Sequence, residues 1–257
     1  MRVVSLVPSI TQTVVSLGGR EMLVGCTSFC VDPPGLAKKI RIIGGTKNPD
    51  ILALQQLRPD LILCNSEENR PEDIAACREF APVLESFPRS PWDVPPMIKS
   101  LGEALDKAVA ANAMAYRTQK ALEELQEAAS RFSEAPGMNF VYLIWRNPWM
   151  AAGKGTYIDS FLSLAGFSNA ISSPRYPTLA DEDPASLDVD YVFFSSEPWP
   201  FRKRDSDLWV AAGGIKGEKL RIDGKSLSWH GVETEKTARD LRLWIKDKTE
   251  TSIIRQI

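Results

Sequence analysis

The stretches "LRPDLILCNSE" (Leu57–Glu67) and "LDVDYVFFSSE" (Leu187–Glu197) repeat one pattern in two distant parts of the chain. Each starts with leucine, has aspartate three residues later, runs through four apolar residues and ends in a small polar residue, serine and glutamate. A short apolar run bounded by polar residues reads as a buried strand. Its polar end then marks the strand tip. The repeat extends outward: "VVSLVPS" from Val3 matches "FVYLIWR" from Phe140, and "SLGG" at Ser16 matches "SLAG" at Ser163. Two similar α/β lobes are therefore expected.

Between these landmarks strands alternate with helices. "RVVSLVP" leads through Pro8 and Ser9, a candidate N-cap, into an amphipathic stretch ending at Leu17, with Gly18 and Gly19 as its stop. "MLVGCT", "IRIIGG" and "PVLES" read as further strands, and "PDILALQQL" and "RPEDIAACREF" as helices. Alternation of this kind implies parallel sheets covered by helices. From about Pro95 to Arg131 the rhythm gives way to Ala, Leu, Glu, Lys and Gln, with Leu101, Leu105, Ala108, Val109, Ala111, Tyr116, Leu122 and Leu125 at broadly helical spacing. The expected layout is an N-terminal lobe at 1–92, a connecting helix at 93–132 and a C-terminal lobe at 133–257. The fold class is α/β: two Rossmann-like lobes with parallel sheets, joined by one long rigid helix.

Composition narrows the function. A net charge of −2 over 257 residues opposes a nucleic-acid groove, and the basic run Arg202–Arg204, diluted by Asp205 and Asp207, reads as a solvated loop. No apolar run reaches the length of a membrane span. Cys26, Cys30, Cys64 and Cys77 fit no zinc spacing, and His230 is the only histidine, so no protein-held metal is expected. The thiols read as free, with a Cys26–Cys30 disulfide as the alternative. "AAGKGT" (Ala151–Thr156) lacks the leading glycine of a phosphate loop and reads as a turn before a helix. No nucleophile elbow or zinc-protease motif occurs. Glu67 and Glu68, adjacent on an extended tip, read as a polar rim rather than an acid–base pair.

Ligands in such sheets gather beyond the carboxyl ends of the strands. Aromatics cluster there: Trp145, Trp149, Tyr157, Trp199 between Pro198 and Pro200, Trp229, and Phe29 in the first half. A flat, largely apolar ligand fits this set, with Arg146, Glu67, Glu197 and His230 to orient it.

At these residues the chain resembles a known family. "RVVSLVPSIT", "IGGTKNPD", "PDLIL", "IWRNPWMAAGKGTYI", "SSEPWPF" and "SWHG" together are similar to the cobalamin-binding group of the helical-backbone (class III) substrate-binding proteins, receptors of ABC importers for cobalamin, haem and iron–siderophore complexes. The resemblance implies a ligand held between two lobes with little hinge closure, no catalysis and no intrinsic cofactor, the metal arriving inside the chelate. The positions implied to face the ligand are Ser9, Phe29, Gly45, Asn65, Glu67, Glu68, Trp145, Arg146, Tyr157, Ser196, Glu197, Trp199, Trp229 and His230. Glu72 and Glu182 are the nearest matches to glutamates that dock such receptors on an ABC permease. Two departures stand out. Asn65 occupies a tip where well-known cobalamin receptors carry tryptophan, and "MRVVSLVP" contains no secretion signal. Location is expected to be periplasmic if a leader has been removed and cytoplasmic if Met1 is native.

The reading is thus a monomeric binding protein for a cobalamin-like or other metal-chelate ligand, serving ABC-type uptake. An intracellular carrier or sensor of a small molecule is the first alternative. An enzyme such as a chelatase or a sugar-nucleotide transferase is the second.

Overall fold

The computed structural model describes residues 1–132, 138–179, 184–214, 216–248 and 250–257. It divides into two compact units: Met1–Pro88 with Trp92–Thr118 and Trp229–Val232, and Arg89–Pro91 with Gln119–Ser228 and Glu233–Ile257.

The first unit contains a five-stranded sheet of β1 (Val3–Ser5), β2 (Leu23–Cys26), β3 (Arg41–Ile42), β4 (Leu61–Asn65) and β5 (Val83–Ser86), ordered β3-β2-β1-β4-β5 with every pairing parallel. Strands β1 and β4 are buried along their whole length. That explains their unbroken apolar runs, since a central parallel strand is covered on both faces. Strand order reverses between β1 and β4, so the loops after these two strands diverge, the usual place for a ligand in an open α/β sheet.

Local chemistry sets the helix starts. In α1 (Pro8–Ser16) proline takes the first position and Val7 is the N-cap, so Ser9 is not the cap expected; it lies buried within the first turn. In α2 (Ile51–Gln56) the Asp50 carboxylate caps the Ala53 N–H at 2.9 Å. Helix α3 (Pro71–Arg78) opens on proline with Glu72 and Asp73 in its first turn, where the helix dipole favours acids.

The segment expected to be one long helix, with a break near Gly102 or Asn112 as the alternative, is two, α4 (Val94–Ala104) and α5 (Ala108–Phe132). Asp106 takes a left-handed conformation (φ 54°) and Lys107 N–H donates back to Gly102 O at 2.7 Å. Packing drives the break: a Cβ on Gly102 would lie 2.0 Å from that of Ala111, so only glycine lets the two helices approach this closely. At 25 residues α5 is roughly 37 Å long at 1.5 Å per residue. Its buried stripe runs through Ala111, Met114, Ala115, Thr118, Ala121, Leu122, Leu125 and Ala129, while Val109 and Tyr116, counted apolar in the sequence, face solvent. The division between the two units falls within α5, after Thr118.

The second unit is built on β6 (Asn139–Trp145), β7 (Met150–Ala151), β8 (Ser168–Asn169), β9 (Tyr191–Ser195), β10 (Glu218–Ile222) and β11 (Ile254–Gln256), ordered β11-β10-β9-β6-β7 with β8 also on β6. Its centre is parallel, but β7 and β11 run antiparallel at the two ends. The all-parallel expectation fails at β7 because only four residues separate it from β6, too few for a crossover. Its helices are α6 (Tyr157–Leu164), α7 (Lys203–Ala211), α8 (Gly224–Ser228) and α9 (Val232–Asp247). The basic run expected as a loop contains the N-cap of α7, Arg202, and its first two residues.

The sequence repeat is a structural repeat. Val3 pairs with Leu61 as Phe140 pairs with Tyr191, and the next two pairs continue in step. The repeated aspartates have a shared structural cause: Asp60 accepts from Arg2 N–H at 2.6 Å, and Asp190 from Asn139 N–H at 2.8 Å. Each carboxylate thus ties the start of its strand to the start of the parallel neighbour, β4 to β1 and β9 to β6. The "SLGG"/"SLAG" match shifts by one residue, because Gly18 (φ 79°) and Gly166 (φ 87°) are the left-handed stops.

Candidate ligand-binding site

Each unit has its own rim at the carboxyl ends of its strands. In the second unit β6 delivers Trp145 and Arg146, and β9 delivers the tip Ser195–Phe201. Hydroxyls shape that tip. Ser195 Oγ donates to Glu197 O at 2.5 Å and receives the buried Tyr142 OH at 3.1 Å. Ser196 Oγ accepts from Gly224 N–H at 2.9 Å and donates to Asp223 Oδ1 at 3.2 Å. Gly224 must be glycine, since a Cβ would meet Ser195 Oγ at 2.5 Å and Glu197 Cγ at 2.6 Å. The Glu197–Pro198 bond is cis, and Trp199 N–H reaches Ile144 O at 3.3 Å, folding the tip back over β6.

This fold-back joins three of the expected residues. The Trp145 and Trp199 rings meet edge to face at 5.1 Å and 73°, and the Arg146 guanidinium lies 5.8 Å from the Trp199 ring. Arg146 is held in turn by Asp205, whose Oδ1 accepts from Nη1 at 2.7 Å. Asp205 is 1% exposed, and its Oδ2 also accepts the Arg202 N–H at the start of α7. Trp145 remains 37% exposed. The result is a half-exposed aromatic ledge with a fixed guanidinium beside it.

Other expected contacts are interior. Tyr157 is buried, with its hydroxyl 3.0 Å from Thr234 Oγ1, and supports α9 rather than the rim. Trp149 is partly buried, stacking on Phe201 at 6.0 Å and 6° and against Trp209 at the edge of the apolar core. The Ser196 hydroxyl is engaged in the turn, whereas Glu197 keeps a partly exposed carboxylate at 3.5 Å from Ser228 Oγ.

In the first unit Asn65 is fully buried and organises the tip from inside. Its Oδ1 accepts from Glu67 N–H at 2.9 Å and Glu68 N–H at 3.2 Å, and its Nδ2 donates to Ser86 Oγ at 3.3 Å. Glu67 and Glu68 are thereby turned onto the rim, partly exposed, with Lys47 Nζ donating to Glu67 O at 2.6 Å. Burial raises the Glu68 carboxyl above its ordinary value; Lys47 opposes this and Glu67 adds to it. Phe29 is 58% exposed and rests over Gly45, where a Cβ would meet the ring at 3.3 Å and Asn48 Oδ1 at 2.5 Å. Ser9 is buried, its carbonyl accepting from Thr13 Oγ1 at 2.8 Å. Trp229 is half-buried, while His230 is buried and its pKa is pushed down to about 4 by desolvation, so it is neutral at pH 7. Glu72 is exposed, 3.5 Å from Arg70 Nε. Glu182 lies outside the described residues.

Two features escaped the sequence. Asp205 read as a charge diluting a basic loop; only the fold brings it to Arg146. A groove of about 300 Å³ in the first unit, lined by Ile10, Leu63, Leu84, Phe87 and Met97 among others, draws on four separated segments and left no local signal. Among the described residues no group of three or more His, Cys, Asp or Glu is placed to hold a metal ion, and no helix is long and apolar enough to cross a membrane.

Residues 3–211 match the family model for periplasmic binding proteins, and the chain belongs to that family. It is 26% identical over 180 residues to the vitamin B12-binding protein of Pectobacterium atrosepticum, covering 68% of this chain and 64% of that protein. To the cobalamin-binding protein of Halobacterium salinarum strain R1 it is 25% identical over 200 residues, 74% of this chain and 53% of that one. The chain thus spans somewhat less than two thirds of the first relative and about half of the second. The fold is similar to that of the periplasmic heme-binding protein RhuT from Roseiflexus (TM-score 0.81, 22% identity, 96% of this chain and 98% of that one). It is also similar to the periplasmic vitamin B12-binding protein BtuF of Vibrio cholerae (TM-score 0.76, 17% identity, 95% and 96%).

Proposed function

We propose that this member of the periplasmic binding protein family is a substrate-binding protein for a flat metal chelate, a corrinoid or a related tetrapyrrole, which it presents to an ABC-type permease. The observation that carries the proposal is the ledge of Trp145, Trp199 and Arg146. Two indoles offer large apolar area at little cost in side-chain entropy, because each is already fixed by its neighbour. The guanidinium beside them donates to carbonyl or carboxylate oxygens on a ligand's edge. On the first unit, exposed Phe29 supplies an aromatic face and the partly exposed Glu67–Glu68 tip supplies acceptors rather than donors.

The similarity to proteins named for vitamin B12 and for haem supports the same class of ligand. The permease step rests on the family and on the exposed position of Glu72 in the first turn of α3. Work on the outer side of the cytoplasmic membrane is part of this proposal.

Calorimetric titration with cyanocobalamin, haemin and a ferric siderophore tests the reading. Cyanocobalamin or haemin should bind one-to-one with a Kd of about 1 μM or below, some −8 kcal/mol. Failure of both to bind a folded chain, or binding of the siderophore alone, would sink it.

A further inference from the structure

We infer that the exposed run Arg202-Lys203-Arg204 reads an anionic substituent, a carboxylate or a phosphate, on the edge of the chelate held by the ledge. This rests on the proposed binding function and adds to it the charge that the ligand's edge carries. The run lies just beyond Trp199. Only Pro200 and Phe201 intervene, and Phe201, fully buried, fixes the turn, its N–H donating to Trp199 O at 2.9 Å. Arg202 and Arg146 then meet across one carboxylate. Asp205 Oδ1 accepts from Arg146 Nη1 at 2.7 Å and Oδ2 from Arg202 N–H at 2.8 Å. The start of α7 therefore stands beside the guanidinium that borders the Trp199 ring. Asp205 and Ser206 are buried there, whereas Arg202, Lys203 and Arg204 are exposed.

Arg146 alone does not select by charge. Its pairing with the buried Asp205 leaves little net charge, so the guanidinium suits a neutral carbonyl as well as an anion. The run differs. Among the described residues none of its three cations forms an ion pair, and Asp207, one turn further along α7, is exposed without pairing to Lys203 or Arg204. On the tip, Glu197 turns its carboxylate toward Ser228 Oγ, 3.5 Å away. Helix polarity sharpens the point: Lys203 and Arg204 take the first two positions of α7, where the macrodipole disfavours cations. Positive charge kept there works against the helix and is open to an anion from outside. Guanidinium and ammonium groups together suit carboxylate or phosphate oxygens.

A chelate lying on the two indoles, with its edge at Arg146, brings a short acidic arm to the run. A propionate of a tetrapyrrole and the phosphodiester of a corrinoid's nucleotide loop share this chemistry, and matched ligands separate them. The full chain and its Lys203→Gln/Arg204→Gln variant are titrated with haemin against haemin dimethyl ester, and with cyanocobalamin against dicyanocobinamide, which lacks the phosphate. In one of these pairs the variant should bind the acidic member about fivefold or more weakly than the parent does. The other member should stay within about twofold. Added salt should weaken parent binding of the acidic member alone. Without ligand, urea denaturation should find the variant at least as stable as the parent, since positive charge has left the start of a helix.

A selective loss in the haemin pair assigns a carboxylate, and one in the corrinoid pair a phosphate. Affinities equal in parent and variant, or falling alike for both members of a pair, would overturn the inference and leave the proposed function standing. Failure of every chelate to bind would overturn both.

Discussion

Arg146 and Asp205 are joined at 2.7 Å across 59 residues of chain, one partner on the aromatic ledge and the other buried at the start of α7. A carboxylate this buried is tolerable only because it is paired and hydrogen-bonded. Removing either partner strands the other. Asp205→Ala and Arg146→Met are each expected to lower the unfolding free energy by about 3 kcal/mol. The double variant should lose less than the sum by about 1 kcal/mol or more. Urea denaturation of the four proteins measures this, and strict additivity would show that the pair is not coupled.

The ledge and the buried tyrosine separate binding from folding. Trp199→Ala should weaken chelate binding by about 1–3 kcal/mol while the fold is kept. Tyr157→Phe removes a hydroxyl paired with Thr234 and should cost about 1 kcal/mol of stability. Its Kd should stay within about twofold. Calorimetry beside denaturation distinguishes the two, and the reverse pattern would move the site toward α6.

His230 makes stability depend on pH. Its folded pKa of about 4 lies below the unfolded value of 6.5, so between these limits the unfolded chain binds more protons. Stability therefore falls as pH drops from about 6.5 to 4, and below that both states are protonated and the loss is complete. The full effect is on the order of 3 kcal/mol. His230→Gln should flatten the difference between denaturation midpoints at pH 7 and pH 4.5. An unchanged slope would mean that the imidazole is charged or solvated in the folded chain.

The repeated aspartates offer a matched pair of tests. Asp60→Ala and Asp190→Ala each delete an acceptor for the first backbone N–H of the neighbouring strand. Each should cost about 1 kcal/mol, with Asp190 the more costly because Asp60 is 58% exposed. No loss at either position would leave the repeat without this structural cause.

Much of this was legible because it is local. The apolar runs of β4 and β9, their polar ends and the aspartates before them follow from strand chemistry, and the register of β1 on β4 and of β6 on β9 matches the alignment of the repeats. What escaped was decided by packing. Nothing in Leu105-Asp106-Lys107 forbids a helix; the approach of Gly102 to Ala111 breaks it. Asn65 and Tyr157 stand where a rim is expected, yet one amide turns inward to satisfy two backbone N–H groups and one ring fills the core. Asp205 becomes the partner of Arg146 only when α7 is laid beside the end of β6.

The most direct measurement is a crystal structure of the chain with a bound corrinoid or tetrapyrrole. The macrocycle is expected within about 4 Å of the indoles of Trp145 and Trp199, with a polar edge substituent on Arg146. A ligand seated instead in the groove of Leu84, Phe87 and Met97, with both indoles untouched, would contradict it.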